Sequence, residues 1–252
     1  MQRSRVTLRL ILISASLVGQ GSLLLFVIFL FRGPLLLFQM GLTQWKALVW
    51  DGLLSVIFFV QHSGMVRKGL RNRLSNFIPP LYHGVLYTIV SGLTLTGLII
   101  LWQGSAITLY ELQGPSRWFV RGFSFIMFAG CFWTIFSLRA FDTFGLAPIR
   151  AELCGKRPPS QDFAPHGPYL WVRHPLYLLV ILMLWSCPNL TADRLLLNIL
   201  WTVWIFAGAA LEEADLLGDF GEKYKDYQSK VPMWIPWKRR PGPHLSPKIS
   251  SG

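Results

Sequence analysis

Two polar segments in the second half of the chain combine residue types that bind and orient a charged ligand. The first reads Gly-Pro-Tyr-Leu-Trp-Val-Arg-His-Pro-Leu-Tyr at 167–177, and the second reads Leu-Glu-Glu-Ala-Asp at 211–215. Pro175 suits the first turn of a helix, where the remaining free N–H groups attract a carboxylate. Arg173 and His174 then lie at the mouth of an anion-binding site. The alternative is that both are ordinary residues of a membrane interface.

The elements that must bring these segments together are two apolar runs, over 176–189 and 195–211. We predict that they form a helical hairpin, because the connection between them is rich in turn residues. The two ends of a hairpin meet, so the acids would face the His-Pro segment. Negative charges are unfavourable at a helix C-terminus and at a membrane boundary. Glu212 and Glu213 in such a position therefore favour a cationic or polar ligand. For Glu213, a solvated position at the start of a surface helix remains an open alternative.

The composition indicates the surroundings of this hairpin. The 252 residues are 52% hydrophobic and only 14% charged, whereas a soluble domain carries about 25% charge. Uncharged runs recur that are long enough to cross a bilayer core of about 30 Å. We therefore predict an all-α polytopic membrane protein with six transmembrane helices, over 10–31, 47–64, 81–102, 118–138, 176–189 and 195–211.

The basic residues predict the orientation of these spans. Of the 24 Lys and Arg residues, 19 lie in the N-terminal segment and the alternate connections, including the tail. The positive-inside rule then places both termini and the 139–175 loop in the cytoplasm. The net charge of +12 would also suit nucleic acid, but its distribution between apolar runs argues against such a partner. The three cysteines lack metal-ligand spacing, so no metal is expected.

We predict one membrane-embedded domain over 1–240, with spans over 10–138, and a flexible tail over 241–252. The 139–175 loop is rich in proline and glycine, and its length favours a functional role. After Leu211 the apolar residues recur every three or four positions, which predicts an amphipathic helix at the membrane surface. The loop, the hairpin and this helix, together spanning 139–237, would form the functional site.

The chain resembles a known superfamily in these same segments. The motif at 167–177, followed after a short hairpin by Leu-Glu-Glu-Ala-Asp-Leu-Leu-Gly-Asp-Phe, resembles the isoprenylcysteine carboxyl methyltransferase superfamily. Its members are integral membrane enzymes that use S-adenosylmethionine. Three segments of the front half are similar to the branch that contains the methanethiol S-methyltransferases and nurim. They are residues 60–67, Leu-Trp-Gln at 101–103 and Phe-Asp-Thr-Phe-Gly-Leu at 141–146.

The resemblance implies which residues hold the cofactor. Matching positions assign backbone groups of Phe163 and Ala164 to it, together with Glu212 of the acidic pair. The remaining residues implied are Tyr169, His174, Pro175, Leu176 and Tyr177. The rings of Tyr169 and Tyr177 could also face the positively charged sulfur of the cofactor.

Two features of the sequence indicate the methyl acceptor. One is a difference from the isoprenylcysteine enzymes, and the other is a histidine in the second span. Isoprenylcysteine enzymes carry an arginine shortly before the glutamate pair, whereas this chain has Gly-Ala-Ala-Leu at 208–211. We therefore expect a small thiol such as methanethiol, with His62 near the end of the second span as the base. His62 is alternatively an interhelical contact. Carboxyl methylation of an isoprenylcysteine, another acceptor dissolved in membrane lipid, and a non-enzymatic nurim-like scaffold remain alternatives.

Overall fold

The computed structural model describes residues 2–137, 142, 144–156 and 163–236. The predicted flexible tail, 241–252, lies outside these residues. Nine α-helices and two short strands make up the described chain, in the order α1 (Gln2–Arg32), α2 (Gln44–Val66), α3 (Lys68–Leu74), α4 (His83–Leu101), β1 (Thr108–Glu111), α5 (Gly114–Ser137), α6 (Ala147–Cys154), α7 (Pro175–Trp185), β2 (Asn189–Thr191), α8 (Ala192–Phe220) and α9 (Glu222–Lys230).

The predicted all-α membrane architecture is confirmed. Five helices in the described chain, α1, α2, α4, α5 and α8, are long and apolar enough to cross a membrane. The sixth apolar helix, α7, has only 11 residues, which is about 16 Å at 1.5 Å per residue and half of a bilayer core. It ends early because Pro188 disfavours a helical conformation in the residue before it.

The predicted fifth span ends in a short strand, β2, which belongs to a small sheet that the sequence did not predict. Strand β2 pairs antiparallel with β1, with Thr108 opposite Thr191 and Glu111 opposite Asn189. The backbone N–H of Leu112 also donates to the carbonyl of Pro188 at 2.8 Å. We call this end of the helical bundle the sheet end. The pairing gives partners to backbone groups of 188–191, which lie beyond the end of α7 and outside any helix.

Alternate connections of the chain meet at the same end of the bundle, as predicted. At the sheet end, Gln103 accepts a hydrogen bond from the backbone N–H of Met40 and donates its own N–H to Asp51. At the opposite end, the Arg67 guanidinium pairs with the Asp215 carboxylate at 2.7 Å. The start of α1 lies at this second end, because Leu8 shares a buried cluster with Ile149 of α6. We call it the motif end.

Close backbone contact at the motif end fixes Phe144 and Gly145, which directly precede α6. A Cβ atom added to Gly84 would lie 1.8 Å from the carbonyl oxygen of Gly145, which itself has φ +63. Both positions therefore require glycine. Thr88 donates to the carbonyl of Phe144 at 2.6 Å, and the Asp142 carboxylate accepts the N–H of Ala147 at the start of α6.

The last transmembrane helix continues beyond its predicted end. We expected a boundary at Leu211, but α8 continues to Phe220, so Glu212 and Glu213 lie within the helix and not at its C-terminus. Leu, Glu and Ala are good helix formers, and nothing in Leu-Glu-Glu-Ala-Asp-Leu-Leu stops the helix. The break comes at Gly221, whose φ is +54. The predicted amphipathic helix is therefore the last turns of α8 followed by α9.

The topology makes a prediction about the short helix α7. A reporter fused after Gly114 and one fused after Gly252 should report opposite sides of the membrane, because α5, α7 and α8 make three crossings between them. A reporter fused after Asn76, in the connection before α4, should report the same side as Gly252. Detection of the Gly114 and Gly252 reporters on one side would show that α7 does not complete a crossing.

Candidate functional site

The Arg-His-Pro segment is held in place by the C-terminal segment of the described chain. The backbone N–H of Arg173 donates to the carbonyl of Pro232 at 2.9 Å, and that of His174 donates to Met233 at 3.3 Å. A 3-10 turn at Gly167–Leu170 precedes it. The hydroxyl of Tyr227 on α9 donates to the carbonyl of Tyr169 in this turn at 2.5 Å. The start of α7 is therefore attached to α9 and the segment after it.

A buried carboxylate, Glu213, joins these elements. Its Oε1 accepts hydrogen bonds from Arg173 Nε at 2.7 Å, from His174 Nε2 at 2.9 Å and from the Tyr224 hydroxyl at 2.9 Å. Its Oε2 accepts a hydrogen bond from Gln228 Nε2. Glu213 is only 9% exposed, so these four donors replace the water that a buried carboxylate loses. We call this set of side chains the Glu213 network.

The partners of Glu213 are themselves fixed. Arg173 Nη1 donates to the carbonyls of Val231 at 2.7 Å and Gln228 at 3.2 Å. Burial raises the pKa of the Tyr224 hydroxyl, and the negative charge of Glu213 raises this pKa further. Tyr224 therefore keeps its proton and remains a donor to Glu213 over the physiological pH range. Burial also raises the pKa of Tyr227, which keeps its hydrogen bond to Tyr169.

The neighbouring acid, Glu212, has a different environment. Its side chain is 38% exposed, and its Oε2 accepts a hydrogen bond from the Tyr177 hydroxyl at 2.7 Å. Within the described chain, no hydrogen-bond donor reaches its Oε1. Nδ1 of His174 lies 3.9 Å from Oε2, and the His174 and Tyr177 rings are stacked with centroids 5.4 Å apart. Glu212 is therefore an oriented carboxylate with one oxygen available to a ligand.

The structure brings most of the predicted cofactor residues together at the start of α7. His174 and Pro175 are buried there, Leu176 and Tyr177 form the first turn with them, and the turn containing Tyr169 precedes them. Burial and the nearby Glu212 charge raise the pKa of Tyr169, so its hydroxyl stays protonated beside that carboxylate. The N–H groups of Leu176 and Tyr177 lie in a first turn, where a helix offers no acceptor of its own.

Phe163 and Ala164 lie beside this group. The ring of Phe163 packs against three aromatic rings, those of Phe220, Tyr224 and Tyr227. Ala164 is exposed, and its carbonyl accepts a hydrogen bond from His166 Nδ1 at 2.7 Å. The packing of Phe163 thus anchors this backbone against the cluster formed by α8 and α9.

His62, the predicted base, approaches the site from α2. The Tyr87 hydroxyl of α4 lies 3.3 Å from His62 Nδ1 and 3.2 Å from Nε2. Tyr87 in turn lies near enough to Tyr177 to interact with it electrostatically. The contact with Tyr87 thus places His62 in the neighbourhood of Tyr177, and no hydrogen bond between described residues joins Tyr87 to Tyr177 or Glu212. This contact joins two helices, so it is compatible with a catalytic role for His62 and with a purely structural one.

The sequence did not identify all of these residues. The interpretation of Glu213 as a solvated residue is wrong, because the helix that carries it continues and turns this side chain toward Arg173. Tyr87 and Gln228 were also missed. Gln228 lies four residues after Tyr224, on the same face of α9, and this spacing was the available signal. Among the described residues, no three His, Cys, Asp or Glu side chains form a group that could hold a metal ion.

Comparison with known proteins reveals several relatives. The chain is 33% identical over 197 residues to methanethiol S-methyltransferase 1 of Bradyrhizobium diazoefficiens, which covers 77% of this chain and 68% of that protein. It is 33% identical over 204 residues to methanethiol S-methyltransferase of Pseudomonas sp. strain GM41(2012), covering 78% and 76%. It is 28% identical to nurim of Rattus norvegicus over 185 residues, covering 68% of each chain. No family model and no solved structure matches the chain.

The Glu213 network predicts a large loss of stability when its charge is removed. Glu213→Gln should lower the free energy of unfolding by about 3 kcal/mol, because it leaves the Arg173 cation buried without its counter-ion. The matched control is Asp219→Asn on the same helix, since Asp219 pairs with Lys68 at an exposed position. That change should cost less than about 1 kcal/mol. Thermal unfolding in detergent measures both, and equal shifts in Tm would contradict the role given to Glu213.

Proposed function

Because the chain belongs to the methanethiol S-methyltransferase family, we propose that it transfers a methyl group from S-adenosylmethionine to methanethiol. The products are dimethyl sulfide, S-adenosylhomocysteine and a proton. The observation that carries this proposal is the Glu212 carboxylate, which Tyr177 orients beside the buried His174 while one oxygen stays available. A carboxylate held in this way suits the positively charged groups of the cofactor.

The residues at the motif end fit the chemical groups of S-adenosylmethionine. Glu212 Oε1 would accept hydrogen bonds from its ammonium group. The free N–H groups of Leu176 and Tyr177 would hold its carboxylate, as helix N-termini hold anions. The rings of Tyr169 and Tyr177 would face its sulfonium. Backbone groups of Phe163 and Ala164 would contact the rest of the cofactor, while His174 and Pro175 would shape the site between these contacts.

For methyl transfer, the protein must align the reacting atoms and remove the proton of the thiol. Bound S-adenosylmethionine supplies a methyl carbon attached to a positively charged sulfur. This carbon would pass to the methanethiol sulfur, and the electron pair of the original carbon–sulfur bond would remain on the departing sulfur. His62 would accept the thiol proton on whichever ring nitrogen carries no hydrogen, and Tyr87 would orient the imidazole. The proton then passes to solvent.

A buried site favours this reaction. An anionic thiolate and a cationic sulfonium combine into neutral products, so exclusion of water and alignment of the reacting atoms lower the barrier. We propose that one domain over 1–240 forms this site, with the cofactor site and both termini in the cytoplasm. The excess of Lys and Arg in the N-terminal segment and the alternate connections of the sequence supports this orientation. The partners are then the thiol and membrane lipid, and the basic residues do not require nucleic acid.

The alternatives have less support. Methylation of an isoprenylcysteine needs a cation for the substrate carboxylate, and the described site offers Arg173. This guanidinium is already used by Glu213 and by the carbonyls of Gln228 and Val231. A nurim-like scaffold would have no use for the available oxygen of Glu212. If the acceptor were another molecule dissolved in the membrane, the methylated product would differ from dimethyl sulfide, and its identity would distinguish the two acceptors.

Cofactor binding should depend on Glu212. Glu212→Gln keeps the size of the side chain but loses the charge that attracts the ammonium group, so S-adenosylmethionine should bind about 10-fold to 100-fold more weakly. Calorimetric titration of detergent-purified protein measures this. The control is Asp215→Asn, three residues further along α8, where the carboxylate pairs with Arg67 and affinity should stay unchanged. Wild-type affinity in Glu212→Gln would refute the assignment.

Thiol methylation should depend on His62 in a manner that changes with pH. The unmodified protein should convert methanethiol to dimethyl sulfide and should not methylate the carboxyl group of a prenylcysteine. His62→Ala should lower turnover about 100-fold at neutral pH. Part of this loss should be recovered at higher pH, where more thiolate forms without a base. Product mass spectrometry over a pH series measures this.

A matched histidine serves as the control for His62. His83 at the start of α4 donates from Nε2 to the carbonyl of Ile78 at 2.9 Å, and among the described residues it makes no hydrogen bond to His62, Tyr87 or Glu212. His83→Ala should therefore leave the pH profile of turnover unchanged. A His62→Ala profile identical to that of the unmodified protein would eliminate His62 as the base. Efficient methylation of a prenylcysteine would overturn the proposed acceptor.

A further inference from the structure

A shallow crevice opens at the sheet end, where α1, α5 and the end of α7 meet. Its lining includes Leu30 and Phe31 from α1, Arg121 and Ser124 from α5, and Ser186, which directly follows α7. The crevice therefore combines apolar side chains with one cation and two hydroxyl groups.

The cation, Arg121, belongs to a transmembrane helix. It lies about 10 Å along α5 from Gly114, at 1.5 Å per residue. Trp118, nearly one turn before it, is 72% exposed, and exposed tryptophan is typical of the interface between lipid and water. Arg121 is therefore close to the level of the lipid headgroups. A charge at this depth is costly unless it has a partner.

The part of the chain that the structure describes offers this cation no partner. The Arg121 guanidinium forms no ion pair and no hydrogen bond there, and its Nε is buried. The Ser124 hydroxyl donates to the carbonyl of Ser186 at 2.6 Å. The acidic side chains of the sheet end are bonded to other groups, Asp51 to the N–H of Gln103, Glu111 to Arg117, and Asp193 to the indole of Trp102. A guanidinium keeps its charge at physiological pH, so Arg121 requires an anion from outside these residues.

We infer that the crevice binds the phosphate group of a phospholipid, with Arg121 as its counter-ion. The planar guanidinium presents paired N–H groups that match two phosphate oxygens. The phosphate diesters of lipid headgroups are the anions that a bilayer supplies at this level. Leu30 and Phe31 suit the adjoining acyl chain, which a free phosphate ion lacks. The apolar part of the lining therefore favours a lipid over inorganic phosphate.

A lipid held in this way would connect α5 to α1. Phe31 of α1 stacks on Phe125 of α5 with ring centroids 4.8 Å apart, and Phe125 lies one turn after Arg121. Helix α5 otherwise packs mainly against α7. A phosphate between Arg121 and the end of α1 would thus strengthen the attachment of α5, and the bound lipid should raise Tm. This inference goes beyond the proposed methyl transfer and does not depend on it.

The test measures the binding of phosphatidylglycerol to the detergent-purified protein by native mass spectrometry, together with Tm. The unmodified protein should retain the lipid and unfold at a higher temperature with it. Arg121→Gln should bind the lipid about 10-fold more weakly, because a neutral amide does not pair with phosphate. Its Tm without lipid should equal that of the unmodified protein, since the guanidinium has no partner among the described residues to lose. Arg121→Lys keeps the charge and should bind more tightly than Arg121→Gln.

A second arginine and two other ligands serve as controls. Arg117→Gln removes a cation one turn earlier on α5, which pairs with Glu111 at 3.4 Å, and should leave phosphatidylglycerol binding unchanged. Diacylglycerol with the same acyl chains lacks the phosphate and should not be retained. Inorganic phosphate lacks the acyl chains and should leave Tm unchanged.

Each contrary result would contradict a particular part of the inference. Equal phosphatidylglycerol affinity in Arg121→Gln and the unmodified protein would overturn it. An equal loss of affinity in Arg117→Gln would contradict the assignment to this crevice. Retention of diacylglycerol as tight as that of phosphatidylglycerol would contradict the role of the phosphate, and equal stabilisation by inorganic phosphate would contradict a lipid as its source.

Discussion

The structure of the site depends on one buried charge, the Glu213 carboxylate. Four donors from two segments surround it: Arg173 and His174 before α7, and Tyr224 and Gln228 on α9. A buried carboxylate is costly unless every donor is in place, so the hydrogen bonds determine how α7, α8 and α9 meet. Removal of one partner leaves a charge buried without compensation, which is why such networks hold a single geometry.

The network also explains why two adjacent glutamates have different roles. Neighbouring residues on a helix point about 100° apart, so when Glu213 faces Arg173 the side chain of Glu212 must face Tyr177. Glu213 accepts four hydrogen bonds, whereas one oxygen of Glu212 accepts none from the part of the chain that the structure describes. Arg173 is likewise committed to Glu213 and cannot serve a substrate carboxylate. One buried interaction thus orients the proposed cofactor site and disfavours a carboxylate acceptor.

Much of this arrangement could be predicted from the sequence. Long uncharged runs indicated the spans because a bilayer core imposes a minimum length on a helix. The turn-rich connection between the last two runs indicated that Glu212 and Glu213 face the His-Pro segment. Which glutamate is buried could not be predicted, because that depends on α8 continuing to Phe220. Tyr87 and the sheet between 108–111 and 189–191 depend on contacts between distant segments, for which local periodicity carries no signal.

The most direct test is an experimental structure of the protein with S-adenosylhomocysteine bound. The account predicts the ligand at the motif end, with its ammonium group on Glu212, its carboxylate at the N–H groups of Leu176 and Tyr177, and the hydrogen bonds of Glu213 to Arg173 and His174 unchanged. A ligand bound directly to Glu213, or one bound at the sheet end, would contradict it.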